Sequence, residues 1–398
     1  MLKGQFPVEK FASLRTPFYY YDLPLLRRTL DKIRECIEPY PQFHVHYAVK
    51  ANFNGKILQE ISRCGFGADC VSGGEIRVAL QNGFAPESIV YAGVGKSDEE
   101  ILLALDAGIA RFNVESAAEL EVINELALSR GVVAPVSLRV NPDIGAHTHA
   151  NITTGLAENK FGINYEQLPG VIELADSLPG VEYKGLHFHI GSQILEMDDF
   201  VALCNRINVL AEQILRQRRG RLVPAASGAA ASVLGDINVG GGLGINYYHP
   251  NHLDVAEFSQ YFETFARHLK LPEGTPVHFE LGRSVVAPCG SLISRVLYIK
   301  EGTTRRFAII DASMTELIRP ALYKAYHRVE NISSYEPEEV YDVVGPVCES
   351  SDVFAKGVSI DKCHRGDFIA IRSAGAYGES MSSQYNCRPL PACFFKED

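Results

Sequence analysis

Short apolar segments alternate with amphipathic segments over most of the chain. Eight of the apolar segments are rich in β-branched and aromatic residues, as buried strands are. They are, in order, HVHYAVK, GADC, SIVYAG, ARFNVE, VSLRV, KGLHFHI, DINVGG and VHFELG. Eight strands alternating with helices is the pattern of a (β/α)8 barrel, whereas an open doubly wound sheet, the alternative, normally uses about five or six. We therefore predict an α/β fold with a TIM-like barrel over residues 24–290.

Two of the intervening helices can be predicted down to their first turns. Residues 97–107 begin with Ser97 as an N-cap and carry Glu100 three residues later, which is the spacing of a capping box. Residues 116–130 repeat this arrangement from Ser116, continue with apolar residues at helical spacing, and stop before a glycine. Both segments are predicted to be amphipathic helices.

The pattern changes at about residue 291. SLISRVLYIK, RRFAIID, EVYDVVG and GDFIAI are strand-like, with few helical patterns between them, and the opening TPFYYYD is strand-like as well. We predict a separate β-rich domain, a β-barrel or β-sandwich, formed by residues 1–23 and 291–398. Residues 222–235, LVPAASGAAASVLG, are small and uncharged, and are predicted to be an inserted loop or a short Ala-rich helix extension.

Composition narrows the classes of function. Hydrophobic residues make up 46% of the chain and charged residues 22%, as in ordinary globular proteins. The net charge of −10 disfavours non-specific nucleic-acid binding. The N-terminus lacks the apolar core of a signal peptide, and no apolar run approaches the length of a membrane span. The nine cysteines form no C-x-x-C motif, so we expect a cytoplasmic protein with reduced thiols.

Lys50 ends the apolar segment FHVHYAVK, where an ammonium group is costly unless it is paired or used. The alternation of side chains in a strand would put it on the same face as His44, His46 and Ala48. A partly buried lysine forms Schiff bases readily. The alternative is a lysine that reaches solvent from the end of its strand.

Glycines follow the segment DINV, at the kind of strand end where barrel enzymes carry their chemistry. The backbone N–H groups of Gly240, Gly241 and Gly242 could approach a phosphate without obstruction by a Cβ atom. Runs of glycine also occur in plain turns, so this loop alone does not establish a binding site.

The next apolar segment ends in Glu280, and Leu281, Gly282 and Arg283 follow it. A carboxylate three residues from an arginine could form a simple ion pair. Beside a glycine loop, however, Arg283 is also a natural phosphate ligand. A lysine, a glycine loop, an arginine and a strand-end glutamate together describe a site for pyridoxal 5′-phosphate (PLP), in which the acid keeps the ring nitrogen protonated.

Three His-x-His pairs, at positions 44/46, 147/149 and 187/189, raise the alternative of a metal-dependent hydrolase. His44 and His46 lie early in their segment, however, and Lys50 occupies its end. We therefore expect no resident metal.

Eight segments of the chain resemble the fold-type III PLP-dependent decarboxylases, in order and over nearly the whole length. They are HYAVKAN, GADCVSGGEI, NKFGI, HFHIGSQ, INVGGGLG, ELGR, GPVCESSD and SAGAYG. One departure is Leu281, where the family usually has proline in an E-P-G-R motif. Within the family the segments are most similar to the diaminopimelate decarboxylases.

The resemblance implies an alanine racemase-like barrel with a C-terminal β domain, and PLP as the cofactor. It also implies the decarboxylation of meso-2,6-diaminopimelate to L-lysine and CO2, the last step of lysine biosynthesis. The alternatives are a related decarboxylase of ornithine, arginine or carboxynorspermidine, and a catalytically silent PLP carrier.

The resemblance implies roles for individual residues. Lys50 forms the Schiff base, Glu280 pairs with the ring nitrogen, His189 lies against the ring and Cys348 donates a proton. The other cofactor contacts are Asp69, Arg139, Ser192, Gly240, Gly241, Gly242, Leu281, Gly282, Arg283 and Tyr377. The substrate contacts are Arg283, Arg319, Tyr323, Glu349 and Tyr377. The family forms head-to-tail homodimers in which Cys348 and Glu349 enter the neighbouring subunit's active site.

Overall fold

The computed structural model describes residues 6–142, 160–218, 233–249 and 256–397. Two predictions fall largely outside these ranges: the insertion at 222–235, apart from its last three residues, and the His-x-His pair at 147/149. The described residues form two compact units. The barrel unit comprises those of Leu30–Gly244 and Val255–Gly282, and the β unit those of Met1–Thr29, Ile245–Asp254 and Arg283–Asp398.

Strands account for the apolar segments of both units. In chain order, within the described ranges, they are β1 (Phe18–Asp22), β2 (Phe43–Ala48), β3 (Gly67–Cys70), β4 (Ile89–Tyr91), β5 (Arg111–Val114), β6 (Ala134–Asn141), β7 (Ile163–Asn164), β8 (Val181–His187), β9 (Asp236–Asn238), β10 (Val277–Leu281), β11 (Gly290–Glu301), β12 (Arg306–Ile310), β13 (Val329–Asn331), β14 (Glu338–Val344), β15 (Val353–Asp361), β16 (Phe368–Ile371) and β17 (Ala392–Lys396).

Most of the helices lie between the strands of the barrel unit. Over the same ranges they are α1 (Val8–Phe11), α2 (Leu23–Ile37), α3 (Gly55–Arg63), α4 (Gly73–Gln81), α5 (Asp98–Ala107), α6 (Ala117–Arg130), α7 (Leu168–Ser177), α8 (Met197–Arg218), α9 (Ala256–His268), α10 (Arg283–Val286) and α11 (Arg319–Tyr323).

The predicted barrel is confirmed. Strands β2, β3, β4, β5, β6, β8, β9 and β10 pair in that order, all parallel, and β10 pairs back to β2. The short β7 pairs in parallel with the last two residues of β6. All eight predicted segments supply a barrel strand. The carboxyl ends of parallel strands meet at one rim, so the polar residues that end these segments are brought to the same place.

The boundary of β2 corrects one expectation. The strand ends at Ala48, and Lys50 lies in a 3-10 turn over Val49–Ala51 rather than at the end of the strand. The Asn52 N–H donates to the Val49 carbonyl oxygen at 3.1 Å and closes this turn, and the Tyr47 hydroxyl donates to the Asn52 carbonyl oxygen at 2.9 Å. Lys50 therefore does not share the strand face of His44 and His46, but follows the strand at the rim.

The two predicted helices form, but only one has a full capping box. In α5, Ser97 Oγ accepts from the Glu100 N–H, and the Glu100 carboxylate accepts from the Ser97 N–H. In α6, Ser116 Oγ accepts from the Glu119 N–H at 3.2 Å. The Glu119 carboxylate is used elsewhere, because it binds the buried Lys96 ammonium at 2.5 Å.

The β unit contains a mixed sheet in the order β13-β16-β11-β12-β14-β15. The opening strand β1 pairs antiparallel with β11 and parallel with β17, as its strand-like sequence suggested. Its core is aromatic: Phe11 packs edge-on against Phe18 and Tyr20, with ring centroids 5.1 and 5.0 Å apart. The sequence patterns did not identify β13, β15 and β17.

The described residues bear on two other classes of protein, those that span a membrane and those that hold a metal ion. None of the helices in the described ranges is both long and apolar enough to cross a bilayer. Those ranges also contain no group of His, Cys, Asp and Glu side chains arranged to hold a metal ion. His46 is instead paired with His278, Nε2 to Nδ1 at 2.9 Å, and burial lowers its pKa to about 3.

Candidate active site

Seven of the predicted site residues fall into two clusters, one in each unit. The rim cluster of the barrel unit contains Lys50, Asp69, His189 and Glu280. The arginine cluster of the β unit contains Arg283, Arg319 and Tyr377, together with Tyr247 and His327.

Lys50 is paired with Asp69 at the barrel rim. Its Nζ lies 3.2 Å from Asp69 Oδ2, and the lysine side chain is 40% exposed while the aspartate side chain is fully buried. Burial and the negative charge of Glu280 raise the pKa of Asp69, whereas the Lys50 ammonium lowers it. Asp69 Oδ1 is buried and has no hydrogen-bond partner among the described residues. A buried carboxylate oxygen without a partner, beside a reachable lysine, is typical of a functional site.

Glu280, near the end of β10, is held as a carboxylate by three side chains. Its Oε1 accepts from Asn238 Nδ2 at 2.7 Å and from Asn113 Nδ2 at 3.2 Å, and its Oε2 lies 3.1 Å from His187 Nε2. Burial alone would raise the pKa of Glu280. The charge and hydrogen bond of His187, with the charge of Lys50, outweigh burial and hold this pKa well below its usual range.

The sequence patterns gave no role to Asn113 or Asn238, and they raised His187 only as a possible metal ligand. Each is the last or next-to-last residue of a barrel strand, respectively β5, β8 and β9. A polar residue at such a position was the available signal, because the ends of parallel strands meet at the rim. Which of these side chains would reach Glu280 depends on the strand order and register of the closed barrel.

The glycine run is required by close packing whether or not it binds a ligand. A Cβ on Gly241 would lie 1.8 Å from the Glu280 carbonyl oxygen, and Gly240 has a left-handed φ of 73°. The Gly240 N–H donates to Asn238 Oδ1 at 2.8 Å, and the Gly241 N–H donates to His189 Nδ1 at 3.3 Å. The assignment of these glycines to a phosphate stays a prediction.

His189 is half-buried and follows β8 by two residues. Because its Nδ1 accepts a hydrogen bond from Gly241, that nitrogen carries no proton. Burial and the positive charges of Arg139 and Lys50 lower the pKa of His189 well below its ordinary value. The rim cluster therefore holds a neutral imidazole beside an ionised Glu280.

Arg139 is engaged in a buried ion pair. Its Nη1 lies 2.6 Å from Glu115 Oε1, and the other oxygen of Glu115 accepts from the Gly162 N–H at 2.7 Å. The guanidinium also lies over the Phe161 ring, 4.7 Å from its centroid. The sequence did not single out Glu115. An ion pair of this kind can serve the barrel structure alone, so the contact of Arg139 with the cofactor stays a prediction.

The remaining predicted positions in the barrel unit have simpler surroundings. Ser192 is half-buried in the segment after β8. Leu281 is buried at the end of β10, opposite Tyr47, and its side chain belongs to the core. A Cβ on Gly282 would lie 3.1 Å from Ala48 Cβ, so this position is tightly packed.

The arginine cluster is built around one phenol. Arg283 Nη1 and Arg319 Nη1 both donate to the Tyr247 hydroxyl oxygen, at 2.8 and 2.9 Å, and both arginines are buried. Tyr377 has a left-handed φ of 55°, and its ring centroid lies 4.9 Å from the Arg283 guanidinium carbon. Tyr323, at the end of α11, is half-buried. Two predicted substrate-binding arginines are thus brought together.

Cys348 and Glu349 lie elsewhere in the β unit, on the exposed segment between β14 and β15. The Cys348 N–H donates to Asn386 Oδ1 at 3.3 Å. Within the described residues, neither Cys348 nor Glu349 is hydrogen-bonded to the arginine cluster. The Cys348 thiol and the Glu349 carboxylate are therefore accessible at the surface of a single chain.

Comparison with known proteins adds independent information. The profile of the family described as "Pyridoxal-dependent decarboxylase, pyridoxal binding domain" matches residues 26–287. A diaminopimelate decarboxylase of Bacteroides thetaiotaomicron is 58% identical over 397 residues and covers 100% of both chains. One of Zymomonas mobilis is 40% identical over 96% of this chain and 87% of its own. The crystal structure of diaminopimelate decarboxylase from Helicobacter pylori complexed with L-lysine has a TM-score of 0.89 at 38% identity, covering 98% of this chain and 94% of that one. The chain therefore belongs to the pyridoxal-dependent decarboxylases of fold type III.

Proposed function

We propose that this protein decarboxylates meso-2,6-diaminopimelate to L-lysine and CO2, with PLP as its cofactor. The observation that carries the proposal is the rim cluster. In it, three side-chain donors hold the Glu280 carboxylate ionised, and the partly exposed Lys50 is paired with the buried Asp69. The relatives that match at least 96% of the chain, which are named diaminopimelate decarboxylases, support the choice of substrate.

The residues of the rim cluster fit PLP. Asp69 Oδ1 is a buried acceptor in need of a partner, and the exposed part of Lys50 can hold the aldehyde. The neutral His189 can lie against a ring, and Glu280 retains lone pairs for a donor beyond its three hydrogen bonds. Bound PLP supplies an electron sink that accepts the electron pair released when the C–COO⁻ bond breaks.

Glu280 would keep that sink strong. A carboxylate with a depressed pKa stays ionised at neutral pH, so it would favour a proton on a ring nitrogen bound to it. Asn113, Asn238 and His187 fix its two oxygens, so the charge does not have to reorganise during the reaction.

Arg319 would bind the distal carboxylate of the substrate. It is buried, and no Asp or Glu in the described ranges lies within ion-pair distance of it. A buried guanidinium without a protein carboxylate is costly until an anion binds. Diaminopimelate brings such a group, whereas ornithine and arginine have no amino-acid carboxylate at their distal end.

The proton that replaces CO2 would come from Cys348. We propose that this residue and Glu349 act in the active site of a second copy, within a head-to-tail homodimer. Their exposure on one chain supports this role, because a thiol must reach the substrate to protonate it.

The proposal also gives each of the two domains a role. Residues 24–290 would form the PLP-binding domain, and residues 1–23 and 291–398 the domain that completes the dimer. The protein would act in the cytoplasm, where the free thiols of its described cysteines stay reduced.

The experiment is incubation of the PLP-loaded enzyme with meso-diaminopimelate, following CO2 and identifying the amino acid formed. The proposal predicts equal amounts of CO2 and L-lysine, with little turnover of ornithine, arginine or carboxynorspermidine. Preferential turnover of one of those three would replace the substrate assignment, and no CO2 from any of them would overturn the function.

A further inference from the structure

Two residues that no motif singled out, Tyr247 and His327, surround the Arg319 guanidinium. Arg319 Nη1 donates to the Tyr247 hydroxyl oxygen at 2.9 Å and lies 2.8 Å from His327 Nε2. The two rings meet edge to face, with centroids 5.0 Å apart, and both side chains are buried. The guanidinium is thus held from two sides within the β unit.

The protonation state of His327 follows from its partners. A guanidinium has only donors, so His327 Nε2 must accept the bond from Arg319. The ring proton is then on Nδ1, which donates to the Arg372 carbonyl oxygen at 2.9 Å. Burial and the positive charge of Arg319 lower the pKa of His327 to about 3, so the ring stays neutral. Fixed at both nitrogens, the ring fixes the position of Arg319.

Tyr247 has its acceptor capacity filled and its donor unused. Its oxygen accepts from both Arg283 Nη1 and Arg319 Nη1, which occupies both lone pairs. Its own hydrogen must therefore point to a third group. The described residues place no acceptor within hydrogen-bond distance of that hydroxyl. A buried O–H that is aimed away from two guanidiniums is suited to an anion that binds them.

We propose that Tyr247 is a carboxylate-binding residue and His327 a positioning residue for the distal carboxylate of the substrate. The carboxylate would accept from Arg319 and from the Tyr247 hydroxyl at once. His327 and the Tyr247 oxygen hold the guanidinium in place before the substrate arrives. This inference rests on the proposed function and names residues that would bind the half of the substrate that does not react.

The test compares two ligands that differ by this carboxylate. L-lysine retains the distal carboxylate of diaminopimelate, and cadaverine is lysine without it. Binding of each to the PLP-loaded enzyme is measured by calorimetry, alongside the KM and kcat for meso-diaminopimelate. For Tyr247→Phe we expect the Kd of L-lysine and the KM to rise on the order of 10- to 100-fold, because charge-assisted hydrogen bonds are lost. The affinity for cadaverine and the PLP content should stay unchanged.

The controls separate positioning from folding. Tyr248→Phe changes the neighbouring, 62% exposed tyrosine and should leave both affinities unchanged. His327→Leu removes the acceptor of Arg319 and should weaken L-lysine binding. His327→Gln keeps an acceptor there and should restore most of the L-lysine affinity. If Tyr247→Phe does not fold, the comparison of the two His327 variants tests the inference.

Three results would overturn the inference: equal loss of L-lysine and cadaverine binding, no loss of either, or loss of PLP from Tyr247→Phe. The last would assign Tyr247 to the cofactor through Arg283. Failure of the proposed function is distinct from all three, because the unmodified enzyme would then release no lysine from meso-diaminopimelate.

Discussion

The His187 imidazole and the Glu280 carboxylate, 93 positions apart in the chain, are joined at 3.1 Å. They come from β8 and β10, on either side of β9, whose Asn238 binds the other oxygen of Glu280. The barrel therefore surrounds one carboxylate with donors from several strands. Such an arrangement stabilises the charged form of Glu280 and gives the site its electrostatic character.

The first prediction concerns the charge of Glu280. In Glu280→Gln the side chain keeps its shape but cannot carry a negative charge. We expect kcat to fall on the order of 100-fold or more, with a smaller change in KM, because the charge matters most in the transition state. Steady-state kinetics of the PLP-loaded variant measure this. Glu125→Gln, on the exposed face of α6, is the matched control. A kcat within a fewfold of the unmodified enzyme would show that this charge is dispensable.

The second prediction concerns pH and Glu75, in the first turn of α4. Burial raises its pKa from 4.5 to about 7, although the Val71 N–H hydrogen bond lowers it. A raised carboxyl pKa means that the neutral form is preferred in the folded state. The stability due to this group is therefore full below the unfolded pKa and lost as pH rises toward 7.

Glu75→Gln should remove that pH dependence. Its free energy of unfolding, relative to the unmodified protein, should rise between pH 4.5 and 7 by no more than about 3 kcal/mol. Urea unfolding at several pH values measures the difference. A difference that does not vary with pH would mean that Glu75 titrates normally in the folded protein.

The barrel was predictable because each of its strands is a continuous apolar run, as expected for parallel strands buried on both faces. Lys50 and Glu280 were predictable because both are charged residues next to such runs. Asn113 was not, since its contact with Glu280 spans 167 positions and depends on closure of the barrel. Tyr247 and His327 lie in no recognisable motif, and only the fold of the β unit brings them to Arg319.

The third prediction concerns the carboxylate clamp. Arg319→Ala should cost about 2–5 kcal/mol of substrate binding and so raise the KM for meso-diaminopimelate roughly 30-fold or more, with PLP content unchanged. The exposed Arg365 offers a control, since Arg365→Ala should behave like the unmodified enzyme. Unchanged kinetics in Arg319→Ala would reject the clamp.

The fourth prediction concerns the shared active site. Lys50→Ala and Cys348→Ala should each be inactive as homodimers. A heterodimer of the two, purified with two different affinity tags, contains one site with both residues intact and should regain activity. Cys64→Ala serves as the control for cysteine removal and should remain active. A heterodimer as inactive as its parents would place Cys348 and Lys50 of one site in the same subunit.

We propose that the Lys50 Nζ, held by Asp69 at the barrel rim, carries the PLP aldehyde. The most direct test is borohydride reduction of the yellow, PLP-loaded protein, followed by peptide mass spectrometry, with Lys56→Ala as the control. We expect a reduced phosphopyridoxyl group on the peptide that contains Lys50, and the same result in the control. A label on another lysine, or a protein that takes up no PLP at all, would contradict it.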